Sequence, residues 1–243
     1  MKGEVWGDRG LKRAVGRSVT VIIPTLNEER NVAQVIQELR LIGVSDILVV
    51  DGNSRDKTVK VARKLGVTVI RQNGKGKGNA LRQAFSHECL NGNAVLIMDA
   101  DGSMNPEEVL SYVEALECGA DLVKGSRFMP GGASEDITLI RRIGNGLFVL
   151  MTNLLCSTNY TDLCYGFAAF RRDAIERLYP HLQSKNFEIE TEIFIKAKKL
   201  GLKTIEIPSI ELRRKHGKSN LRVHRDGFRI LKTIIHEAFH GMD

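Results

Sequence analysis

The sequence is poor in the residues that staple, span or stack. It has four cysteines, one tryptophan and four tyrosines in 243 residues. Cys89, Cys118, Cys156 and Cys164 form no C-x-x-C pair, and a chain of this size needs no disulfides to hold a core. They read as reduced, structural thiols of a cytoplasmic protein. No apolar run reaches the roughly 18–20 residues of a membrane-crossing helix. The nearest, Leu147 to Cys156, is interrupted by Thr152 and Asn153, so the protein is expected not to be integral to a membrane. The first 17 residues are polar and Gly-rich, without the apolar centre of a signal peptide. They read as a loose arm or a short surface helix. Also missing are G-x-G-x-x-G after the first strand and G-x-x-x-x-G-K-[ST] anywhere, which excludes the usual dinucleotide and P-loop sites. So few large aromatics leave little to stack on bases, and no nucleic-acid motif is present.

What is there is ordinary globular composition, 42% hydrophobic and 27% charged, with a net charge of +7. Part of that charge is local. Arg213, Arg214, Lys215, Lys218, Arg222, Arg225, Arg229 and Lys232 face only Asp226 in the same stretch. Such a patch attracts phosphate, whether of a nucleotide, a nucleic acid or a lipid headgroup, or is a solvated helix face.

Strand and helix patterns alternate through the first half. Strands are expected at Val19–Ile23, Ile47–Val50, Val67–Ile70, Ala94–Met98 and Leu122–Lys124, and helices at Glu28–Leu41, Asp56–Leu65, Lys77–Leu90 and Pro106–Glu117. This predicts an open, mostly parallel α/β sheet flanked by helices, with ligands outside the carboxyl ends of its strands. The second half is less regular. It has a Gly-rich loop at Phe128–Asp136, helices at Leu139–Leu155, Phe187–Leu200 and His224–Phe239, and strands at Gly166–Phe170 and Thr204–Ile207.

The strand ends carry polar groups. Pro24-Thr-Leu-Asn-Glu28 follows the first strand and Asp51-Gly-Asn-Ser-Arg-Asp56 the second. Ser54 is expected to cap the next helix, whereas Asp51 has no such local duty and can accept hydrogen bonds from a base or ribose. Gly74-Lys-Gly-Lys-Gly78 is a flexible loop or an anion site at a helix N-terminus. Met98-Asp-Ala-Asp-Gly-Ser103 follows the fourth strand. Residues two apart in extended chain point the same way, so Asp99 and Asp101 face a common site. Two such carboxylates suit a hard divalent ion, Mg²⁺ or Mn²⁺, or form a solvated Asp-Gly turn.

Taken in order, these segments resemble the inverting glycosyltransferases of the GT-A fold, glycosyltransferase family 2, in the group that includes dolichyl-phosphate mannose synthase. The likeness is carried by Pro24–Glu29, Val49–Thr58, Gly74–Ala80, Met98–Asp101, Gly125–Gly132, Asp162–Phe167 and Arg214–Leu221. It implies an arm over 1–17 and one GT-A domain over 18–243, with a nucleotide-sugar half (18–130) and an acceptor half (131–243) bearing the amphipathic helices. It implies that Pro24, Leu26, Glu28, Val49 and Asp51 line the base and ribose pocket. Lys77, Ala100, Arg214 and Lys218 join them around the diphosphate, and Asp99, Asp101 and Ser103 hold the metal. Arg127 is expected to reach acceptor or diphosphate. Glu188, Glu190 and Glu192 are candidate bases, and Glu190 is chosen as catalytic together with Asp101 and Arg127. Leu26, Ser103, Tyr165, Ala168 and Asn220 depart from the mannose-synthase pattern, so the donor stays open between GDP-mannose and UDP-glucose.

A polyprenyl phosphate acceptor is already an anion and needs no base, whereas a soluble or protein-borne hydroxyl needs one. The apolar stripe Ile140, Ile143, Leu147, Leu150, Met151 and Leu154 is either core or an interfacial face lying on a membrane. The resemblance favours the lipid acceptor and a peripheral position on the cytoplasmic face of the membrane.

Overall fold

The strands β1 (Val19–Thr25), β2 (Asp46–Asp51) and β4 (Ala94–Ile97) are almost wholly buried. They are runs of β-branched and aliphatic residues with no polar alternation, the pattern of strands covered on both faces. In the computed structural model, which describes residues 19–241 apart from Cys89 and Lys218, successive residues feed two separate cores. Ile22, Leu48, Val50, Val95 and Ile97 enter one, and Val21, Ile23, Ile47, Val49 and Leu96 the other. The expectation for residues 1–17 lies outside the described residues.

The remaining strands are β3 (Thr68–Arg71), β5 (Leu122–Ser126), β6 (Ala133–Ser134), β7 (Ala168–Arg171), β8 (Thr204–Pro208) and β9 (Ile210–Glu211). Seven of the nine strands among the described residues form one sheet in the order β3-β2-β1-β4-β7-β5-β8. All neighbours are parallel except β7, which is antiparallel to both β4 and β5. The expected α/β sheet is therefore present. β6 and β9 pair separately, in parallel.

The helices are α1 (Val32–Leu41), α2 (Thr58–Lys64), α3 (Lys77–Phe85), α4 (Val109–Glu117), α5 (Leu139–Cys156), α6 (Arg172–Leu178), α7 (Ile189–Lys199) and α8 (Val223–Phe239). Several expected starts move. α1 begins four residues late, because Glu28 and Asn31 are engaged elsewhere: the Thr58 hydroxyl accepts the Glu28 N–H, and Asn31 donates to the Glu28 carboxylate. Ser54 does not cap α2. Its hydroxyl accepts the Asn27 N–H, and Asp56 receives the first helical N–H, that of Thr58.

Helix α5 is turned inside out relative to a core helix. Its buried residues are Asn145 and Thr152, while Leu139 is 73% exposed and Leu147 57%. The core reading of the apolar stripe is thus overturned. The reason is local. Asn145 accepts two backbone N–H groups, and Asn153 holds the Thr158 hydroxyl and the Tyr160 N–H. The polar edge is fastened to the fold, which leaves the apolar edge outward. With 18 residues, α5 is also long and apolar enough, by length and composition, to cross a membrane, which corrects the expectation that no segment is. It packs instead along α8, which exposes Phe228, Ile235 and Phe239.

Candidate active site

The carboxyl ends of β1, β2 and β4 open into a cleft of about 1060 Å³, where an open α/β sheet is expected to bind ligand. Its far wall comes from the second half of the chain, through Ile140, Asn145 and Phe148 of α5, Glu190 of α7 and Arg214.

Three charged residues meet on the floor. Lys77, at the first turn of α3, places Nζ 2.6 Å from Asp99 and 2.7 Å from Glu190. Burial works against this ammonium, but Asp99 and Glu190 outweigh it and hold its pKa well above the ordinary lysine value. Glu190 is the member of the glutamate triplet that faces the cleft. Glu192 instead binds the backbone N–H groups of Gln183 and Ser184, and Glu188 those of Lys185 and Asn186. The backbone leaves room for the Lys77–Glu190 pair because residue 166 is glycine: a Cβ there would collide with both the Glu190 carboxylate and Lys77 Nζ.

Beside this pair, Arg214 lies 2.7 Å from Asp101 and 3.0 Å from Glu28. Burial opposes its charge, and Asp101 and Glu28 raise its pKa all the same. Ser103 gives both its N–H (3.0 Å) and its hydroxyl (2.7 Å) to one Asp101 oxygen. Its role here is to orient that carboxylate. Among the described residues no cluster of three or more metal-binding side chains exists. The two carboxylates still fit a hard divalent ion, which commonly takes one or two protein carboxylates and completes its shell with phosphate and water.

Arg127 lines the cleft, but its guanidinium is committed to neighbouring groups. Nε and Nη2 grip the Asp162 carboxylate at 2.7 and 3.0 Å, Nη1 meets Glu211 at 3.1 and 3.2 Å, and Nη2 also reaches the Cys164 carbonyl. Burial raises the Asp162 carboxyl, but Lys124 and Arg127 reverse this and hold it below the usual range. Asp162 and Glu211 were missed as site residues. Asp162 sits within a motif that drew notice for other reasons. Glu211 gives no local signal, because it arrives on the two-residue strand β9.

Pro24, Leu26, Glu28 and Ala100 line the cleft. Val49 does not: it is wholly buried, its side chain packed in the core behind β2. Asp51 is also fully buried behind the wall, and it does have a local duty, accepting the Ser54 N–H at 3.1 Å. Its other oxygen has no partner in the fold. Gln72 was missed. It lines the cleft and is steadied by the Gly74 and Gly76 carbonyls. Gly76 and Gly78 serve close packing, since a Cβ on either would strike the backbone of Ser184 or Lys185. Lys218 lies outside the described residues.

Residues 20–179 match the family model described as Glycosyl transferase family 2. Glycosyltransferase AglJ of Haloferax volcanii is 34% identical over 224 residues, 91% of this chain and 72% of that protein. The undecaprenyl-phosphate mannosyltransferase of Micrococcus luteus is 32% identical over 212 residues, 84% of this chain and 87% of that one. Among solved structures, glucosyl-3-phosphoglycerate synthase of Mycobacterium tuberculosis, in complex with Mn²⁺, UDP-glucose and phosphoglyceric acid, superposes with a TM-score of 0.75. It is 19% identical, over 98% of this chain and 86% of that one, a likeness of fold. A GT-A sheet, a cleft at its strand ends and a family model that spans most of the chain converge: this chain belongs to Glycosyl transferase family 2 and is a glycosyltransferase.

Proposed function

We propose that the chain transfers a sugar from a nucleoside-diphosphate sugar to a polyprenyl phosphate at a membrane surface, in one displacement with inversion at the anomeric carbon. The observation that carries the acceptor is helix α5. Its Ile140, Asn145 and Phe148 bound the cleft, while Leu147, Leu150 and Leu154 of the same helix stand exposed. A lipid lying along that face would bring its phosphate to the cleft mouth. The lipid-phosphate mannosyltransferase of Micrococcus luteus, among the relatives, supports the same class of acceptor.

Asp99 and Asp101 would hold Mg²⁺ or Mn²⁺. Bound there, the ion supplies charge neutralisation for the departing nucleoside diphosphate. Arg214 and Lys77 add positive charge from two sides, and the guanidinium fork suits phosphate oxygens. Pro24, Leu26 and Gln72 line the end of the cleft near β1 and β3, where the base of the donor, GDP-mannose or UDP-glucose, would lie. The basic stretch Arg222–Lys232 beside exposed Phe228 favours anionic headgroups.

A second reading has one observation behind it. Glu190 is a buried carboxylate facing the cleft, placed as a base for a hydroxyl acceptor would be. Incubating the protein with labelled GDP-mannose or UDP-glucose, Mn²⁺ and either polyprenyl phosphate or soluble hydroxyl acceptors decides between them. Label in the organic phase that is lost in Asp101→Asn supports the lipid acceptor. Label only in soluble product removes it.

A further inference from the structure

Each carboxylate expected to hold the divalent ion already holds a cation of the chain's own. Asp99 binds the Lys77 ammonium at 2.6 Å and Asp101 the Arg214 guanidinium at 2.7 Å. Both cations are shared with a second carboxylate, Lys77 with Glu190 and Arg214 with Glu28. Both Asp101 oxygens are engaged, one by Arg214 and the other twice by Ser103. The Lys77 side chain is 8% exposed and that of Arg214 16%, so water screens these charges poorly. A divalent ion seated on the same oxygens would stand a few ångströms from both cations. Seating the ion there sets three positive centres against one another across Asp99 and Asp101, which weakens the hold of both ion pairs.

The fold gives both side chains somewhere to go. Lys77 opens α3 and lines the cleft, and Arg214 lies on the irregular stretch that follows β9. That stretch is pinned over the strand ends by few bonds, among them Asn31 to the His216 carbonyl and Lys215 to Glu38.

We propose that Lys77 and Arg214 are exchangeable counter-cations. They neutralise Asp99 and Asp101 in the ion-free protein, leave those oxygens when a divalent ion binds, and are taken up by the diphosphate of the donor. The proposal rests on transfer from a nucleoside-diphosphate sugar, as put forward above. Its consequence is mutual: metal and nucleotide each bind weakly alone and strongly together, because each relieves the charge that the other strands. It also fixes a change of sign. Removing an internal cation helps the metal when it binds alone, and harms it when nucleotide is present.

The test is a titration of the full chain with Mn²⁺, read as loss of the free-ion EPR signal, without nucleotide and with UDP or GDP. The wild type should bind Mn²⁺ about fivefold or more tighter with one of the two diphosphates than without. Arg214→Gln should bind Mn²⁺ alone more tightly than the wild type and lose most of the gain from nucleotide. Lys77→Met should behave likewise, with circular dichroism reporting its fold. Arg214 is more exposed than Lys77, so its variant keeps the test open if Lys77→Met fails to fold. If Arg214→Gln binds Mn²⁺ alone no more tightly than the wild type, the exchange is overturned while donor binding stands. If the wild type binds neither UDP nor GDP under any condition, the donor reading fails and takes the exchange with it.

Discussion

The Asn145 side-chain oxygen accepts the backbone N–H groups of Leu163 at 3.1 Å and Cys164 at 3.0 Å. This one amide fixes which way helix α5 faces. Asn145→Leu would remove this acceptor, leaving the Leu163 N–H unpaired and the Cys164 N–H with Asp162 alone, at a cost of about 1–3 kcal/mol. Urea denaturation should show a lower midpoint for this variant with an unchanged slope.

Doubling charge on the other edge of the helix should do the opposite. Leu147→Glu with Leu150→Glu alters only exposed positions, so stability should change by no more than about 0.5 kcal/mol per site. Binding to anionic vesicles, measured by co-sedimentation, should fall sharply. In the wild type that binding should weaken with added salt as the basic stretch is screened. Unaltered vesicle binding by the double variant would remove α5 from the membrane face.

Glu190→Gln separates the two acceptor classes. A phosphate acceptor needs no base, so the loss in kcat should stay below about tenfold, whereas a general base contributes roughly 10²–10⁴. A drop in the upper range, together with loss of the acidic limb of the pH–rate profile, would assign Glu190 as a base.

The Asp162–Arg127 pair predicts an acid limb of stability. The Asp162 pKa is lowered in the fold by Lys124 and Arg127 against the effect of burial. A carboxyl whose folded value lies below the unfolded value of about 3.9 stabilises the protein above that pH, and the contribution is lost as pH falls through the folded value. Melting temperature should therefore drop below about pH 4 in the wild type. Asp162→Asn should flatten this limb and lower stability at pH 7, by less than the roughly 3–5 kcal/mol of a fully broken buried pair, because Glu211 still holds the buried guanidinium.

The strands and most helices were legible because burial on both faces writes continuous apolar runs, and amphipathic stripes write helices. The same stripe could not say which way α5 faces. Periodicity marks an apolar edge without showing what covers it, and the answer lay in hydrogen bonds from Asn145 to residues eighteen and nineteen positions away. Asp99, Asp101 and Glu190 could be found because each sits at a strand end or in a charged cluster. The commitment of Arg127 to Asp162 and Glu211 could not, since these partners come from 35 and 84 residues further along. Val49 was assigned to the pocket with a motif taken whole from the resemblance, and its side chain packs in the core instead.

Strand β7 runs against its neighbours and lies between β4 and β5. The part of the chain expected to choose the acceptor thus supplies an inner strand of the sheet whose other end is expected to carry the donor. An exchange of acceptor halves between two such enzymes would carry a central strand with it. The graft must match Val95, Leu96 and Ile97 on one side and Leu122 and Val123 on the other. A change of acceptor by wholesale recombination is therefore also a change of core. Diversification by point substitution along the cleft's α5 wall leaves that core untouched.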